Sequence, residues 1–269
     1  MSTTRTRLDL TTARTLADRL VAALAPACER IEVAGSIRRK RSTVGDIELV
    51  VIPRVVETPI AGQLGLFDDG TAASVKRVSK LDELLAGMVR RGEWYDSPPL
   101  GISAQPAWGP KYKKAWVREP ESGELVQVDI FAATLQNWGA IFTIRTGPAE
   151  FAHEMQTHIL LKTPYRQRQG VLLIEETGEI VPVPEERDYF RLAGIPFIRP
   201  ESRTVGALKH TIAQARHAGS KAAPPPADQT RSDPQAHARR DLDRPSALPA
   251  GNGQTTVANI RDLLDGWQQ

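Results

Sequence analysis

The sequence has little of several features that mark specialised protein classes. Among its 269 residues there is a single cysteine, Cys28, which excludes a disulfide scaffold and a multi-cysteine zinc site. Its longest apolar runs, such as 47–52, are far shorter than the ~20 residues that cross a bilayer. The first residues lack the apolar core of a secretion signal. We therefore expect a cytoplasmic protein with no membrane partner.

The chain also lacks a strong excess of charge of either sign. Lys and Arg number 35 and Asp and Glu number 32, so the formal net charge is +3. This balance excludes a histone-like polycation, and any affinity for nucleic acid must come from clustered charge. Hydrophobic residues make up 41% of the sequence, which is enough to form a core and excludes disorder along the whole chain.

Apolar periodicity predicts helices and strands in alternation, as in an α+β fold. Helices are expected over 9–24, 80–92, 136–164 and 203–217. Strands are expected over 31–35, 47–53, 113–118 and 125–132, followed by a hairpin over 171–183 with Thr177 and Gly178 at its turn. Thr11 or Thr12 is expected to cap the first helix. Residues from about 54 to 79 contain prolines and glycines and are interpreted as a loop insertion.

Three acidic residues predict a catalytic metal site. Asp46 and Glu48 stand at the start of an apolar strand, where alternation places them on one face. Two carboxylates that close raise each other's pKa unless a cation lies between them. Asp129 is the one acid in another apolar strand, which is costly unless it is a ligand. Ligands that are all oxygen favour Mg²⁺ or Mn²⁺, and three carboxylates can hold two such ions roughly 3.5–4 Å apart.

A Gly-Ser turn lies just upstream of these acids. Gly35 and Ser36 offer backbone N–H groups and a hydroxyl to phosphate oxygens, and Arg39 can form a bidentate pair with a triphosphate. Together with the acids, this turn predicts nucleotidyl transfer with an NTP or dNTP as substrate. One ion would activate the attacking hydroxyl, and the other would hold the triphosphate and the leaving pyrophosphate. The alternative is that Asp46 and Glu48 are only an exposed strand face.

The segment GSIRRKRSTVGDIE resembles the signature of the nucleotidyltransferase superfamily that includes DNA polymerase beta, with the spacing of the polymerase X branch. The resemblance continues through 144–160, which is similar to the nucleotide-pocket segment, and through 170–203, which is similar to the thumb. It implies a palm with a small mixed sheet over 1–140 and a small α+β thumb over 141–210. It also implies nucleotide contacts at Gly147 and Gln156.

The chain departs from that family in several places. It has Asp-x-Glu where polymerase X usually has Asp-x-Asp, and an Asp-x-Glu pair also resembles antibiotic nucleotidyltransferases. Ile144 and Arg145 replace the aromatic pair of the sugar pocket, and we expect Arg145 to reach phosphate or solvent. We expect no counterpart of the family's N-terminal lyase and helix-hairpin-helix domains. Gap filling and removal of a deoxyribose phosphate are therefore not expected.

Three functions stay open at this point. The first is a small DNA polymerase or terminal-transferase-like enzyme that adds nucleotides to a DNA 3′ hydroxyl, as the thumb resemblance implies. The second is an enzyme that transfers a nucleotide to a small molecule or a protein. The third is a non-catalytic accessory protein that binds DNA or a sliding clamp.

Two segments predict macromolecular partners. In the first segment, aromatic residues lie among three basic residues, which are Lys111, Lys113 and Lys114. This pattern suits a surface that binds a primer end. The alternative is a solvated edge strand whose lysines prevent pairing with another sheet. A second segment resembles the peptide with which bacterial replication proteins bind the sliding clamp, and its apolar side chains would enter a pocket. Its residues are Gln63, Leu64, Leu66 and Phe67. The alternative is that these side chains fold back onto the palm.

The C-terminal part of the sequence is expected to form a flexible tail over 211–269. Residues 218–256 are rich in Ala, Pro, Asp, Gln and Arg and have too little apolar content to form a core. A short terminal helix is possible over 255–267, although a helix of this length is marginal on its own.

Overall fold

A computed structural model of the chain describes residues 7–59, 75–98 and 104–219. Helices and strands are mixed along these ranges, which confirms an α+β fold. The helices are α1 (Leu10–Leu24), α2 (Gly35–Arg38), α3 (Lys80–Arg90), α4 (Trp138–Thr146), α5 (Ala149–Lys162), α6 (Glu186–Leu192) and α7 (Val205–Gly219). The strands are β1 (Leu8–Asp9), β2 (Cys28–Val33), β3 (Thr43–Val44), β4 (Ile47–Pro53), β5 (Val55–Pro59), β6 (Val75–Ser79), β7 (Trp94–Tyr95), β8 (Tyr112–Arg118), β9 (Leu125–Ala132), β10 (Tyr165–Arg168), β11 (Val171–Ile174) and β12 (Ile180–Val181).

A five-stranded mixed sheet positions the predicted acids. Its strand order is β2-β4-β9-β8-β7. The central strands β4 and β9 run parallel, while the other neighbouring strands run antiparallel. The parallel register places Glu48 opposite Asp129, so residues from two distant parts of the sequence share one position across the sheet.

The two faces of this sheet differ in what covers them. On one face, Ile47, Leu49 and Val51 of β4 are buried in a core with residues of α1 and α3. On the other face, Val50 and Ile52 pack with α4. Because side chains alternate along a strand, the second face also carries Glu48 near the start of β4. This face is therefore apolar at one end and acidic at the other.

A second core lies C-terminal to the sheet. It contains buried residues from α5, α6, α7 and the three-stranded sheet β10-β11-β12, among them Phe151, Met155, Leu172, Tyr189, Phe190 and Leu208. Ala140 of α4 is buried in the same core, so α4 has one side against the five-stranded sheet and another against this second core. The division into palm and thumb stays a prediction.

Several predicted element boundaries are wrong. Asp9, rather than Thr11 or Thr12, caps α1, because its carboxylate accepts hydrogen bonds from both of those backbone N–H groups. The predicted helix over 136–164 is two helices, since the chain is extended at Gly147 and Pro148. A proline restricts the residue before it to extended conformations, which explains the break.

Three further segments differ from expectation. The ends of the predicted loop insertion, 55–59 and 75–79, pair as the antiparallel strands β5 and β6. The predicted tail begins too early, because residues 211–219 belong to α7, in agreement with the helix predicted over 203–217, and Ile212 is buried in the second core. Helix α6 was not predicted, since its apolar periodicity spans too few residues to be recognised.

The other predicted elements are confirmed within a few residues. These are the helices α1, α3 and α7, the strands β4, β8 and β9, and the hairpin of β11 and β12, in which Gly178 adopts a φ of 73°. None of the helices in the ranges that the structure describes combines the length and apolar character needed to cross a membrane.

Candidate active site

Glu48 and Asp129 lie side by side on the sheet face that packs against α4, at the acidic end of that face. Asp129 is 7% exposed, and Asp46 and Glu48 are half-buried. Burial raises the pKa of Glu48 to about 8, and repulsion from Asp46 and Asp129 adds to this shift. All three acids are therefore electrostatically coupled in one place.

Asp129 shares this electrostatic environment. Burial raises its pKa, as does repulsion from Asp46, and these effects outweigh the hydrogen bonds that it accepts from Tyr112 and Gln127. The Tyr112 hydroxyl donates to Oδ1 at 2.8 Å, and Gln127 Nε2 lies 3.0 Å from Oδ1 and 2.9 Å from Oδ2. Lys114 is opposite Asp129 in the β8–β9 register and lowers its pKa. A carboxylate cluster of this kind gains stability from a bound cation.

The predicted phosphate turn lies directly against one of the acids. Gly35 has a φ of 60°, a left-handed conformation that favours glycine. A Cβ atom at this position would lie 1.8 Å from Oε2 of Glu48. Gly35 is thus required both for the backbone conformation and for the space that the Glu48 carboxylate occupies.

Two predicted phosphate ligands carry buried donors without a partner in the described part of the chain. These atoms are Ser36 Oγ and Arg39 Nε. Arg39 also donates from Nη1 to the carbonyl of Thr146 at 2.6 Å, which fixes its guanidinium between α2 and the end of α4. Burial lowers the pKa of Arg39, whereas Glu48 opposes this shift. Unsatisfied buried donors of this kind suit an anion.

Arg145, expected to reach phosphate or solvent, packs against an aromatic ring, and a contact with phosphate stays a prediction. Its guanidinium lies 3.9 Å from the ring centroid of Phe131. Burial lowers its pKa, and the charges of Glu48 and Asp129 oppose that shift. The side chain therefore contributes positive charge to the acidic end of the sheet. No local sequence signal indicates this position, because it depends on the packing of α4 against β9.

Arg38 was not predicted to have a role, yet it connects the phosphate turn to the second core. It donates to Oε1 of Glu186 at 2.8 Å and to the Thr146 hydroxyl at 2.7 Å. Arg203 donates to the same Oε1 at 2.9 Å. These contacts join α2, α4, α6 and the segment before α7, and no sequence pattern links residues so far apart.

The two residues assigned to the nucleotide pocket by resemblance have local contacts. A Cβ atom at Gly147 would lie 2.5 Å from Cδ1 of Phe151, so the close approach that requires glycine is to α5. Gln156 Nε2 donates to the carbonyl of Ala152 in its own helix at 3.2 Å. A nucleotide contact by either residue stays a prediction.

The predicted DNA-binding lysines do not form a single surface. Lys113 is 5% exposed, forms an ion pair with Asp82 at 2.8 Å and donates to the carbonyl of Gly109 at 2.7 Å. It is on the opposite face of β8 from Lys114, because consecutive residues of a strand alternate. We therefore withdraw Lys113 as a DNA-binding residue. Lys111 is exposed, and Lys114 is half-buried on the face that carries Asp129.

The aromatic residues interleaved with these lysines also differ in exposure. Trp116 is 1% exposed and belongs to the interior, whereas Trp108 is 37% exposed. Tyr112 stacks on Phe131 and bonds to Asp129. Of these three, only Trp108 offers a substantial ring surface to a base.

The donor set at the acidic end fits a hard divalent cation, because Asp46, Glu48 and Asp129 supply only oxygen ligands. Burial is the main cause of the raised pKa of Glu48, repulsion from Asp46 and Asp129 adds to it, and Arg145 and Arg39 oppose it. Within 7–59, 75–98 and 104–219, however, no three His, Cys, Asp or Glu side chains form a cluster that is ready to hold a metal.

The predicted clamp-binding residues, Gln63, Leu64, Leu66 and Phe67, lie outside the described residues. Binding of a sliding clamp by these residues stays a prediction.

Comparison with known proteins gives a distant similarity. No protein-family model matches the chain. An alignment over 180 residues is 23% identical to DNA polymerase lambda of Rattus norvegicus, and it covers 63% of the chain and 28% of that protein. The chain thus spans less than a third of the length of this relative. Similarity at this level supports a polymerase X-like relationship at most.

Proposed function

We propose that the chain is a Mg²⁺-dependent nucleotidyltransferase that adds a nucleotide from an NTP or dNTP to a DNA 3′ hydroxyl by a two-metal mechanism. The main support is the register of β4 and β9, which brings Glu48 opposite Asp129 with Asp46 close enough to raise the Glu48 pKa. The distant similarity to a DNA polymerase also points to nucleotide and DNA substrates.

Asp46, Glu48 and Asp129 would hold two Mg²⁺ ions, and Mn²⁺ could replace them. When bound, such ions lower the pKa of an attacking hydroxyl and stabilise the charge of the triphosphate and the leaving pyrophosphate. The protein contributes a half-buried acidic face on two adjacent parallel strands. Fixed strands hold charged groups in place more precisely than loops do.

The triphosphate would be bound by the turn that precedes β4. The Ser36 hydroxyl and Arg39 Nε are buried donors that need an acceptor, and a phosphate supplies oxygen acceptors with negative charge. Gly35 keeps the backbone close to Glu48. The phosphates would therefore lie next to the carboxylates.

The DNA end would approach the same face from β8. Lys114 is in register with Asp129, and Lys111 is exposed three residues earlier. Both can pair with backbone phosphates. The partly exposed ring of Trp108 is adjacent in sequence and is bridged to β8 through Lys113, so it can stack on a base.

Primer extension with labelled nucleotides tests this function. The purified chain is given a template–primer duplex, a single-stranded DNA and a protein or small-molecule acceptor, each with Mg²⁺ or with EDTA. Extension that follows the template supports a polymerase, and untemplated addition supports a terminal transferase. Asp129→Asn removes one metal ligand while keeping the size of the side chain, so it should abolish either activity.

The same experiment separates the other candidate functions. Labelling only of the non-DNA acceptor would favour the second function, towards which the Asp46-x-Glu48 pair points. No metal-dependent labelling of any acceptor would contradict the enzymatic proposal and favour an accessory protein that binds DNA or a clamp.

A sliding-clamp partner is a separate part of the proposal, carried by the sequence of 63–67 alone. A pull-down with a bacterial clamp tests it. Replacing Leu66 and Phe67 by alanine should abolish binding, and unchanged binding would remove the clamp from the account.

A further inference from the structure

Asp129 is held by two side chains that the proposed function does not use. Tyr112 is in β8 and Gln127 is in β9, two residues before Asp129. Both lie on the same face of the sheet as Asp129, because side chains alternate along each strand. Their hydrogen bonds to the carboxylate measure 2.8 Å from Tyr112 and 2.9 and 3.0 Å from Gln127.

The phenol of Tyr112 is itself held in position. Its ring stacks on Phe131 with a centroid distance of 4.9 Å and an interplanar angle of 11°. Tyr112 and Phe131 face each other in the β8–β9 register. The Tyr112 hydroxyl therefore belongs to a side chain that packing and two paired strands already hold in place. A donor held in this way can orient the Asp129 carboxylate without a further loss of conformational entropy.

The distribution of these bonds over the two carboxylate oxygens is unequal. Oδ1 accepts from both Tyr112 and Gln127, whereas Oδ2 accepts from Gln127 alone. An ionised carboxylate has about four lone-pair sites, two on each oxygen. Since the same Gln127 nitrogen lies close to both oxygens, the Tyr112 hydroxyl makes the difference between them. Among the described contacts of Asp129, Oδ2 therefore accepts one hydrogen bond fewer than Oδ1.

We infer that Tyr112 and Gln127 are positioning residues that orient Asp129 so that Oδ2 is the oxygen offered to a divalent cation. This inference rests on the proposed function, since it takes Asp129 as a metal ligand. A carboxylate oriented by fixed donors loses less entropy when it binds a metal. Removal of such partners typically weakens metal affinity about 10–100-fold.

Direct metal binding by the full chain tests this role without requiring turnover. Mn²⁺ alone is titrated into the protein, and the free ion is followed by electron paramagnetic resonance. Tyr112→Phe removes only the hydroxyl and keeps the ring stacked on Phe131. Gln127→Met removes the amide and keeps the length of the side chain. Each variant should weaken the Asp129-dependent Mn²⁺ affinity at least about tenfold.

Tyr189→Phe is the matched control. The Tyr189 hydroxyl donates to Oε1 of Gln167 at 2.7 Å in the second core. The same atom is removed there without a contact to the acids. This variant should lower the unfolding temperature and leave the Mn²⁺ affinity unchanged.

The outcomes distinguish this inference from the proposed function. If Asp129→Asn weakens Mn²⁺ binding while both Tyr112→Phe and Gln127→Met bind like the wild type, the hydrogen bonds are only structural and the inference is overturned. If the wild type has no Mn²⁺ site that depends on Asp129, the proposed function fails together with it. If Tyr112→Phe does not fold, the measurement on Gln127→Met decides.

Discussion

The buried contact of Glu186 with two arginines gives the prediction that the structure makes most quantitative. Glu186 is 6% exposed and Arg203 is 0% exposed. Arg38 and Arg203 donate to Oε1 of Glu186 at 2.8 and 2.9 Å. Since Arg38 belongs to the helix that begins at Gly35, this contact also positions the proposed phosphate turn. The perturbation is Glu186→Gln, which removes the negative charge and little volume.

The expected loss follows from the burial of the arginine that stays behind. Removing one partner of a buried ion pair costs roughly 3–5 kcal/mol, because the other charge is left uncompensated in a site from which water is excluded. Arg38 is less buried, with 23% of its side chain exposed, and water can solvate it in part. Most of the cost should therefore come from Arg203.

Urea unfolding followed by circular dichroism measures this loss. Glu185→Gln is the matched control, because Glu185 is the preceding residue, its side chain is 57% exposed and it is paired with Arg30 at 2.6 Å. An exposed pair contributes at most about 1 kcal/mol. If Glu186→Gln costs no more than Glu185→Gln, the buried contact does not stabilise the fold and the reasoning is refuted.

The pH dependence of stability gives an independent check on the same group. Burial alone would raise the pKa of Glu186, but the hydrogen bonds and positive charges of Arg38 and Arg203 outweigh it and lower the pKa. Stability from this group is therefore present above the ordinary carboxyl pKa of about 4.3 and is lost as the pH falls through the lower value of the folded state. Glu186→Gln should flatten that acid limb, and an unchanged limb would contradict the assignment.

Four further predictions concern the candidate site and the strand β8 beside it. Gly35→Ala should lower nucleotide transfer by roughly 10²-fold or more, since the new Cβ would displace Glu48; wild-type activity in the extension assay would contradict the packing. Because the pKa of Glu48 is about 8 without a cation, above that of the unfolded chain, stability in EDTA should fall as the pH rises from about 4.3 towards 8. Mg²⁺ should then raise the unfolding temperature more at pH 8 than at pH 5.5, and an equal rise at both would refute the coupling. Lys114→Ala should weaken binding to a primer end and reduce its salt dependence by about one ion. Lys113→Ala should instead cost about 1–3 kcal/mol of stability with unchanged DNA binding, and the reverse pattern would show that β8 presents the other face.

The strands of the sheet were predictable because their sequences are distinctive. Residues 47–53 and 125–132 are apolar and rich in β-branched residues, and both form strands of the central sheet. Asp129 was recognised because an acid inside such a run is costly. The sequence does not indicate the order of the strands. Only the structure shows that β4 and β9 are neighbours and that Glu48 lies opposite Asp129.

Two errors came from signals that were present in the sequence. Lys113 and Lys114 are consecutive in a strand, so they cannot share a face, and Lys113 pairs with Asp82 on the other side. The same alternation places Tyr112 with Lys114, next to Asp129. The predicted helix over 136–164 contains Pro148, and a residue before proline avoids helical conformation, so the break at Gly147 has a local signal.

Other features depend on tertiary packing and leave no local signal. Arg38 and Glu186 are 148 positions apart, and nothing in either segment indicates the other. Arg145 lies over Phe131 because α4 packs on the face of β9 that holds this ring. Contacts of this kind determine the positions of the charged side chains in the site. The periodicity of apolar residues in the sequence indicates only which face of a helix or strand is apolar.

The measurement that tests the central proposal most directly is anomalous diffraction from crystals soaked with Mn²⁺ and a nucleoside triphosphate. The account predicts manganese peaks within ligand distance of carboxylate oxygens of Asp46, Glu48 and Asp129, with the triphosphate beside Ser36 and Arg39. Manganese found elsewhere, or a triphosphate bound without any metal near these three acids, would contradict it.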